Sequence, residues 1–299
     1  MTYKLKLLLL GALVLITSHC DGQRIQISAP AQQEPIRDHY QELQKLSGAA
    51  REETAWMDDI TYPPSLYKNN TMLFALSEPV YLTSNQVDFL KNSVKFPANS
   101  SKQTRAELDF LLELQSHRTA RQTSRVMEIA RIGYWPDAGM LESHPSYQRN
   151  LEHLFFEVRE VMGQHYMPQE YPKTVKLLKG VMVDMRLMEF AVKYHLLRAR
   201  PYQLETELKP LRKISSPSFA SGHTLWAYLQ AYILAELIPE KRTEFIELAY
   251  EIAFSRELMG VHYPSDEEAA RQLAYRMVWL MWNTHTFQRD FFNAKKEWE

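Results

Sequence analysis

Gly222-His223-Thr224-Leu225-Trp226-Ala227-Tyr228-Leu229-Gln230-Ala231-Tyr232-Ile233-Leu234-Ala235-Glu236-Leu237 is the stretch that decides the fold. Wound at 3.6 residues per turn, it is apolar on nearly all sides, interrupted by His223, Gln230 and Glu236. A helix of that kind must be covered all round by other elements. It is shorter than the ~20 residues a bilayer span requires, so it predicts a central core helix and not a membrane helix.

The flanking sequence supplies the cover. Pro239 starts a helix that runs to about Met259, and a last helix opens at Ser265 and reaches the 280s or beyond. Ser265-Asp266-Glu267-Glu268 reads as its capping box. Upstream, a helix from about 171 to 198 carries Leu177, Leu178, Val181, Met185, Met188 and Val192 at helical spacing, and Pro201 ends it. Thr83 or Ser84 caps a short helix through Phe96. Thr104-Arg105-Ala106-Glu107 reads as a capping box before Leu108, Leu111, Leu112 and Leu114. Residues 133–139 read as a turn and 146–163 as a helix. Few period-2 runs and no internal repeat occur, and Gly is scarce. The expected fold class is all-α, a single helical bundle.

The first 22 residues read differently. Lys4 and Lys6 precede an unbroken run of apolar residues and Gly over 7–16, the length of a signal-peptide core. Cys20, the single cysteine, stands where a bacterial lipoprotein would be lipidated, although His19 before it is a poor fit. Lipidation at Cys20 and cleavage near Gly22-Gln23 both remain open. With one cysteine the chain forms no internal disulfide. Residues 23–35 read as a polar tether, 37–59 as a charged helix, and Thr61-Tyr62-Pro63-Pro64 as a break. The expected organisation is 1–22 signal peptide, 23–75 tether and N-terminal arm, and 76–299 helical domain. A net charge of −1 gives no global reason to expect nucleic acid as partner.

Three segments between 193 and 266 carry chemistry. They are Lys193-x6-Arg200-Pro201, Pro217-Ser218-Phe219-Ala220-Ser221-Gly222-His223, and Ser255-Arg256-x5-His262-x3-Asp266. Lys193, Arg200 and Arg256 fall near helix ends, and arginines present forked donors matched to phosphate oxygens. Ser221 and Gly222 open a helix whose free N–H groups form an anion site. His262 can be a nucleophile if one ring nitrogen is unprotonated, with Asp266 fixing the tautomer, and His223 can protonate a leaving oxygen. Each residue alone is ordinary: a lone cation is usually solvated and an isolated Ser-Gly-His arises by chance. Their joint occurrence in this order gives the reading its weight.

These segments resemble the three-part signature of the type 2 phosphatidic acid phosphatase superfamily, and more closely its secreted branch, the bacterial class A non-specific acid phosphatases. The resemblance extends from about Glu78-Pro79-Val80-Tyr81-Leu82 to the C-terminus and includes Ala269-Ala270-Arg271. It implies an all-helical fold, phosphate monoester hydrolysis and a periplasmic or secreted location. The residues themselves read as a phosphohistidine mechanism in which the three cations take the role of a metal, so no metal or other cofactor is expected. Residue by residue, Lys193, Arg200, Arg256, Ser221 and Gly222 would bind phosphate. His262 would be the nucleophile, Asp266 its partner and His223 the general acid. One departure is Ala220, where the family usually has Pro, which puts the rigidity of that loop in question. Small phosphate monoesters are the expected partners, with no nucleic acid binding and membrane contact only through a lipid anchor at Cys20. A homo-oligomer remains open.

Two other readings compete. One is a vanadate-dependent haloperoxidase, which holds vanadate in the same pocket. The other is a catalytically silent lipoprotein that binds phosphate. The presence of every expected ionisable residue favours the enzyme. Other histidines, such as His39, His117 and His195, show no zinc-ligand spacing, and Tyr202 and Phe219 read equally as pocket or packing residues.

Overall fold

In the computed structural model, the residues described are 37–67, 69–131, 143, 156, 159–163 and 165–299. The apolar run at 7–16, Cys20, the turn at 133–139 and most of the helix expected over 146–163 lie outside them. The helices are α1 (Asp38–Leu43), α2 (Asn69–Phe74), α3 (Ser84–Ser93), α4 (Lys102–His117), α5 (Ala120–Ile129) and α6 (Arg159–Met162), then α7 (Pro172–Leu196), α8 (Pro201–Leu204), α9 (Gly222–Leu237), α10 (Arg242–Leu258), α11 (Pro264–Trp282) and α12 (His285–Lys295). Among the described residues there is no strand, only an isolated bridge between Thr61 and Arg198. No described helix is long and apolar enough to cross a membrane.

α9 is the axis of the bundle. Every residue from Thr224 to Ala235 is buried, because α7, α10 and α11 cover it from different sides. Burying a single Leu or Ile here stabilises the fold by ~1.5–3 kcal/mol. α7 buries all six apolar residues read as its inner stripe. Its first turn has no side-chain cap from Tyr171. The Glu297 carboxylate serves instead, accepting from the N–H groups of Lys173 (2.7 Å) and Thr174 (2.8 Å). Trp298 stacks on Tyr171 at 4.0 Å between centroids, so the C-terminus clamps the start of α7.

Three expectations are corrected. α4 begins a turn earlier than Thr104, with Ser101 as its N-cap: its Oγ accepts from Thr104 N–H at 3.0 Å. That turn is set by long-range bonds from Ser100 to Asp58, so Glu107 lies inside the helix and is free to face inward. The last helix is two: a break at Asn283-Thr284 lets Phe287 and Phe291 pack against Trp282. Residues 37–59 form a short helix and a 3-10 segment (Glu52–Asp59) instead of one charged helix.

Residues 37–67 pack on the chain's own helices. Tyr62 is fully buried, donates its N–H to Leu197 O at 2.8 Å and its hydroxyl to Ile214 O at 3.0 Å. Further along, Asp184, buried in the middle of α7, accepts the N–H groups of Val80, Tyr81 and Leu82. Burial raises its pKa to about 6 although those three bonds favour the anion.

Candidate active site

Helix ends bring the three segments together. α7 delivers Lys193 from its last turn and stops at Leu197, in the left-handed conformation at φ 51°. The chain then runs extended through Arg198 and Arg200 until Pro201 opens α8. Ser221 is the N-cap residue of α9, Arg256 lies in the last turn of α10, and Asp266 lies in the first turn of α11. Gly260, at φ +74°, reverses the chain between Arg256 and His262. Lys193, Arg200, Ser221, Gly222, Arg256, His262 and Asp266 are buried, and His223 is half-buried.

His262 is bracketed. Its Nδ1 lies 3.0 Å from Asp266 Oδ2, and its Nε2 lies 2.9 Å from Arg200 Nη1. A guanidinium only donates, so Nε2 must accept and the proton belongs on Nδ1, donated to Asp266. That is the tautomer a nucleophilic Nε2 needs. Burial, the largest cause, and Arg200 hold the His262 pKa well below the usual histidine value, against the pull of Asp266. For Asp266 burial works the other way. Arg198, His262 and Ser218 outweigh it and keep the carboxyl well below the ordinary aspartate range.

Lys193 and Arg200 converge on the loop before α9. Lys193 Nζ donates to the carbonyls of Pro217 (2.9 Å) and Ser218 (3.0 Å). Arg200 donates to Ser216 O, Pro217 O, Val261 O and Ser216 Oγ in addition to His262. Arg256 Nη2 lies 3.0 Å from Met259 Sδ. Burial and the neighbouring Arg200 push Lys193 down to about 7. The His223 pKa is lowered by burial first, then by the positive charges of Arg256, His262, Lys193 and Arg200. Ser221 Oγ donates to Thr224 Oγ1 and does not cap the helix, so the N–H groups of its first turn receive no hydroxyl from it.

The loop carrying Ala220 is held without a proline at that position. Tyr202 exchanges two hydrogen bonds with the Ile214 backbone, Ser218 N–H donates to Arg198 O, and Phe219 is fully buried against Phe96. Tyr202 and Phe219 therefore serve as scaffold here. Ser265 does not cap α11, whose N-cap is Tyr263. Asp266 accepts the Tyr263 N–H at 3.1 Å, and Ser265 Oγ donates to Glu107 Oε2 at 2.8 Å.

Four residues escaped the sequence reading. Arg198 and Ser218 reach Asp266 directly, while Ser265 and Glu107 support Arg198. Arg198 lay inside the Lys-x6-Arg gap and Ser218 two positions before Ala220, so proximity to the motifs was a usable signal. Glu107 gave none: nothing in its local sequence points to a partner at position 198. Burial raises its pKa to about 7 against the pull of Arg198. Among the described residues, no group of three or more His, Cys, Asp or Glu side chains could hold a metal ion.

The described residues form an all-helical domain, and the PAP2 superfamily model matches residues 174–290 of it. The chain is homologous to bacterial non-specific acid phosphatases. That of Providencia stuartii is 30% identical over 144 residues, covering 46% of this chain and 58% of that protein. That of Salmonella typhimurium strain LT2 is 29% identical over 146 residues, 46% of this chain and 57% of that protein. The matched region thus spans somewhat more than half of either relative. In overall fold the chain is similar to a bacterial vanadium-dependent iodoperoxidase, with a TM-score of 0.51, 18% identity, and coverage of 75% of this chain and 60% of that one.

Proposed function

We propose that this chain is an exported acid phosphatase that hydrolyses phosphate monoesters through a phosphohistidine on His262, without a metal. The observation that carries the reading is the bracketing of His262, with a carboxylate on one ring nitrogen and a cation on the lone pair of the other. In the reaction, Arg200 Nη1 exchanges His262 Nε2 for a phosphoryl oxygen, while its remaining donors stay on the loop carbonyls. Nε2 then attacks phosphorus in line. Asp266 stabilises the imidazolium as the P–N bond forms and the P–O bond to the alcohol breaks. Lys193, Arg200, Arg256 and the Gly222 N–H neutralise the equatorial oxygens, the work a metal does elsewhere, with Ser221 joining them once its N–H leaves the Asp266 carbonyl it meets at 3.3 Å. His223 protonates the departing oxygen, then takes a proton from water, which attacks phosphorus and releases inorganic phosphate.

Export rests on the lysine-flanked apolar run at 7–16, in an arrangement of 1–22 signal peptide, 23–75 arm and 76–299 catalytic domain. The test of mechanism is quench of the protein in alkaline denaturant after mixing with a 32P-labelled monoester, followed by acid or base treatment of the trapped label. An acid-labile, base-stable label should appear in wild type and be absent in His262→Ala. A label of equal amount in His262→Ala would remove His262 from the role.

A further inference from the structure

Arg198 is a fully buried cation outside the set that faces the phosphate site, and its donors point the other way. Nη1 donates to Asp266 Oδ1 at 2.7 Å and to Ser265 Oγ at 2.8 Å, and Nη2 lies 3.5 Å from Glu107 Oε2. The guanidinium lies over the Tyr263 ring at 3.8 Å, with the Phe96 ring at 4.9 Å. Glu107 is in turn held by Ser265 Oγ and by Gln103 Nε2 at 3.1 Å.

The two oxygens of Asp266 are divided between two tasks. Oδ2 takes His262 Nδ1, Ser218 Oγ at 2.5 Å and the Tyr263 N–H. Oδ1 takes Arg198. A carboxylate held on one oxygen alone can rotate about its Cβ–Cγ bond. Anchoring Oδ1 stops that rotation and fixes where Oδ2 meets the imidazole. The charge also matters: beside Arg198, Asp266 stays an anion and does not draw the Nδ1 proton to itself. The Arg198 backbone joins the segments of the site as well, because its carbonyl accepts from Ser218 N–H at 2.9 Å and it bridges Thr61.

We infer that Arg198 is a positioning residue that locks the Asp266 carboxylate, and through it the tautomer and aim of His262, with Glu107 and Ser265 as its holders. The inference rests on the phosphohistidine reading for its kinetic consequence but not for its structural one. It makes Arg198 part of the machinery without any contact to substrate, so its loss should slow chemistry more than binding.

The test compares wild type with Arg198→Lys, which keeps the charge but lacks the rigid fork that puts Nη1 on Asp266 and Ser265 while Nη2 faces Glu107. Steady-state kinetics on an aryl phosphate, inhibition by inorganic phosphate, and the 15N shifts of the His262 ring are measured. Arg198→Lys should lower kcat by roughly 10–100-fold, the usual size of an outer-layer effect. KM and phosphate inhibition should stay near wild type, and the His262 nitrogens should move toward a mixture of tautomers. Ser218→Ala, which leaves Arg198 and the Tyr263 N–H in place, should lose less. Folded Arg198→Lys with wild-type kcat and unchanged 15N shifts would overturn the inference. If Arg198→Lys does not fold, Ser265→Ala decides: a lower kcat at constant KM supports the positioning role, and unchanged kcat and shifts overturn it. A wild type with no turnover would instead defeat the proposed function, and the ring shifts alone would then judge Arg198.

Discussion

Protonation states at single residues set how activity should depend on pH. In the proposed reaction His262 must be neutral to attack, and its lowered pKa keeps it neutral on the acid side of the usual histidine value. His223 must be protonated to act as acid, and burial among cations lowers its pKa too. A His223 that simply starts protonated is therefore too simple a description. Phosphate among Lys193, Arg200 and Arg256 raises its pKa again by adding negative charge beside it. Lys193 must be charged to bind phosphate, and it loses its proton as pH rises through about 7. All three directions place the optimum on the acid side, with kcat/KM falling through and above pH ~7. A pH-rate profile checks this, and kcat/KM rising steadily to about pH 9 would contradict it. Lys193, Arg200, Ser221, Arg256, His262 and Asp266 were legible in sequence as candidates through their motif spacing, and all of them fall at or between helix ends. The residues behind them were not, since Arg198 and Glu107 meet only through the fold.

At the scale of elements, helix ends do the positioning, so their terminators carry testable weight. Gly260 sits at φ +74° between Arg256 and His262, and an added Cβ would meet only ordinary contacts, 3.5 Å from Pro210 Cα at the nearest. Gly260→Ala should therefore cost only the backbone strain, ~1–2 kcal/mol in denaturant unfolding. It should also reduce activity more than that stability loss implies, because it shifts His262 against Arg256. Glu297→Ala should cost about 1 kcal/mol, since it removes the acceptor for two N–H groups at the start of α7. The core helices were readable from periodicity, and α9 matches the quoted stretch from Gly222 to Leu237. The start of α4 and the split between α11 and α12 were not readable. The bonds of Ser100 to Asp58 and the packing of Trp282 with Phe287 and Phe291 decide them.

For the whole molecule, one central helix supports everything else, and the site sits at its N-terminus. Leu229→Ala in α9 should destabilise the fold by ~2–5 kcal/mol, read from the denaturant midpoint, while leaving kcat per folded molecule close to wild type. The packing of residues 37–67 onto the loop of the site, through Tyr62 and Thr61, could not be read from a segment that shows only a charged helix and a proline break. Its apolar anchors are too sparse to show a period. They make sense only once Leu197, Arg198 and Ile214 are placed beside them.

Metal-free turnover at His262 is best tested by hydrolysis of an aryl phosphate at mildly acidic pH by the purified chain in excess chelator, beside His262→Ala. Turnover should be unchanged by the chelator and should fall by roughly 10³-fold or more in the variant, with the fold retained. A folded wild type without turnover, turnover abolished by the chelator, or a His262→Ala protein with wild-type rates would contradict the phosphohistidine mechanism.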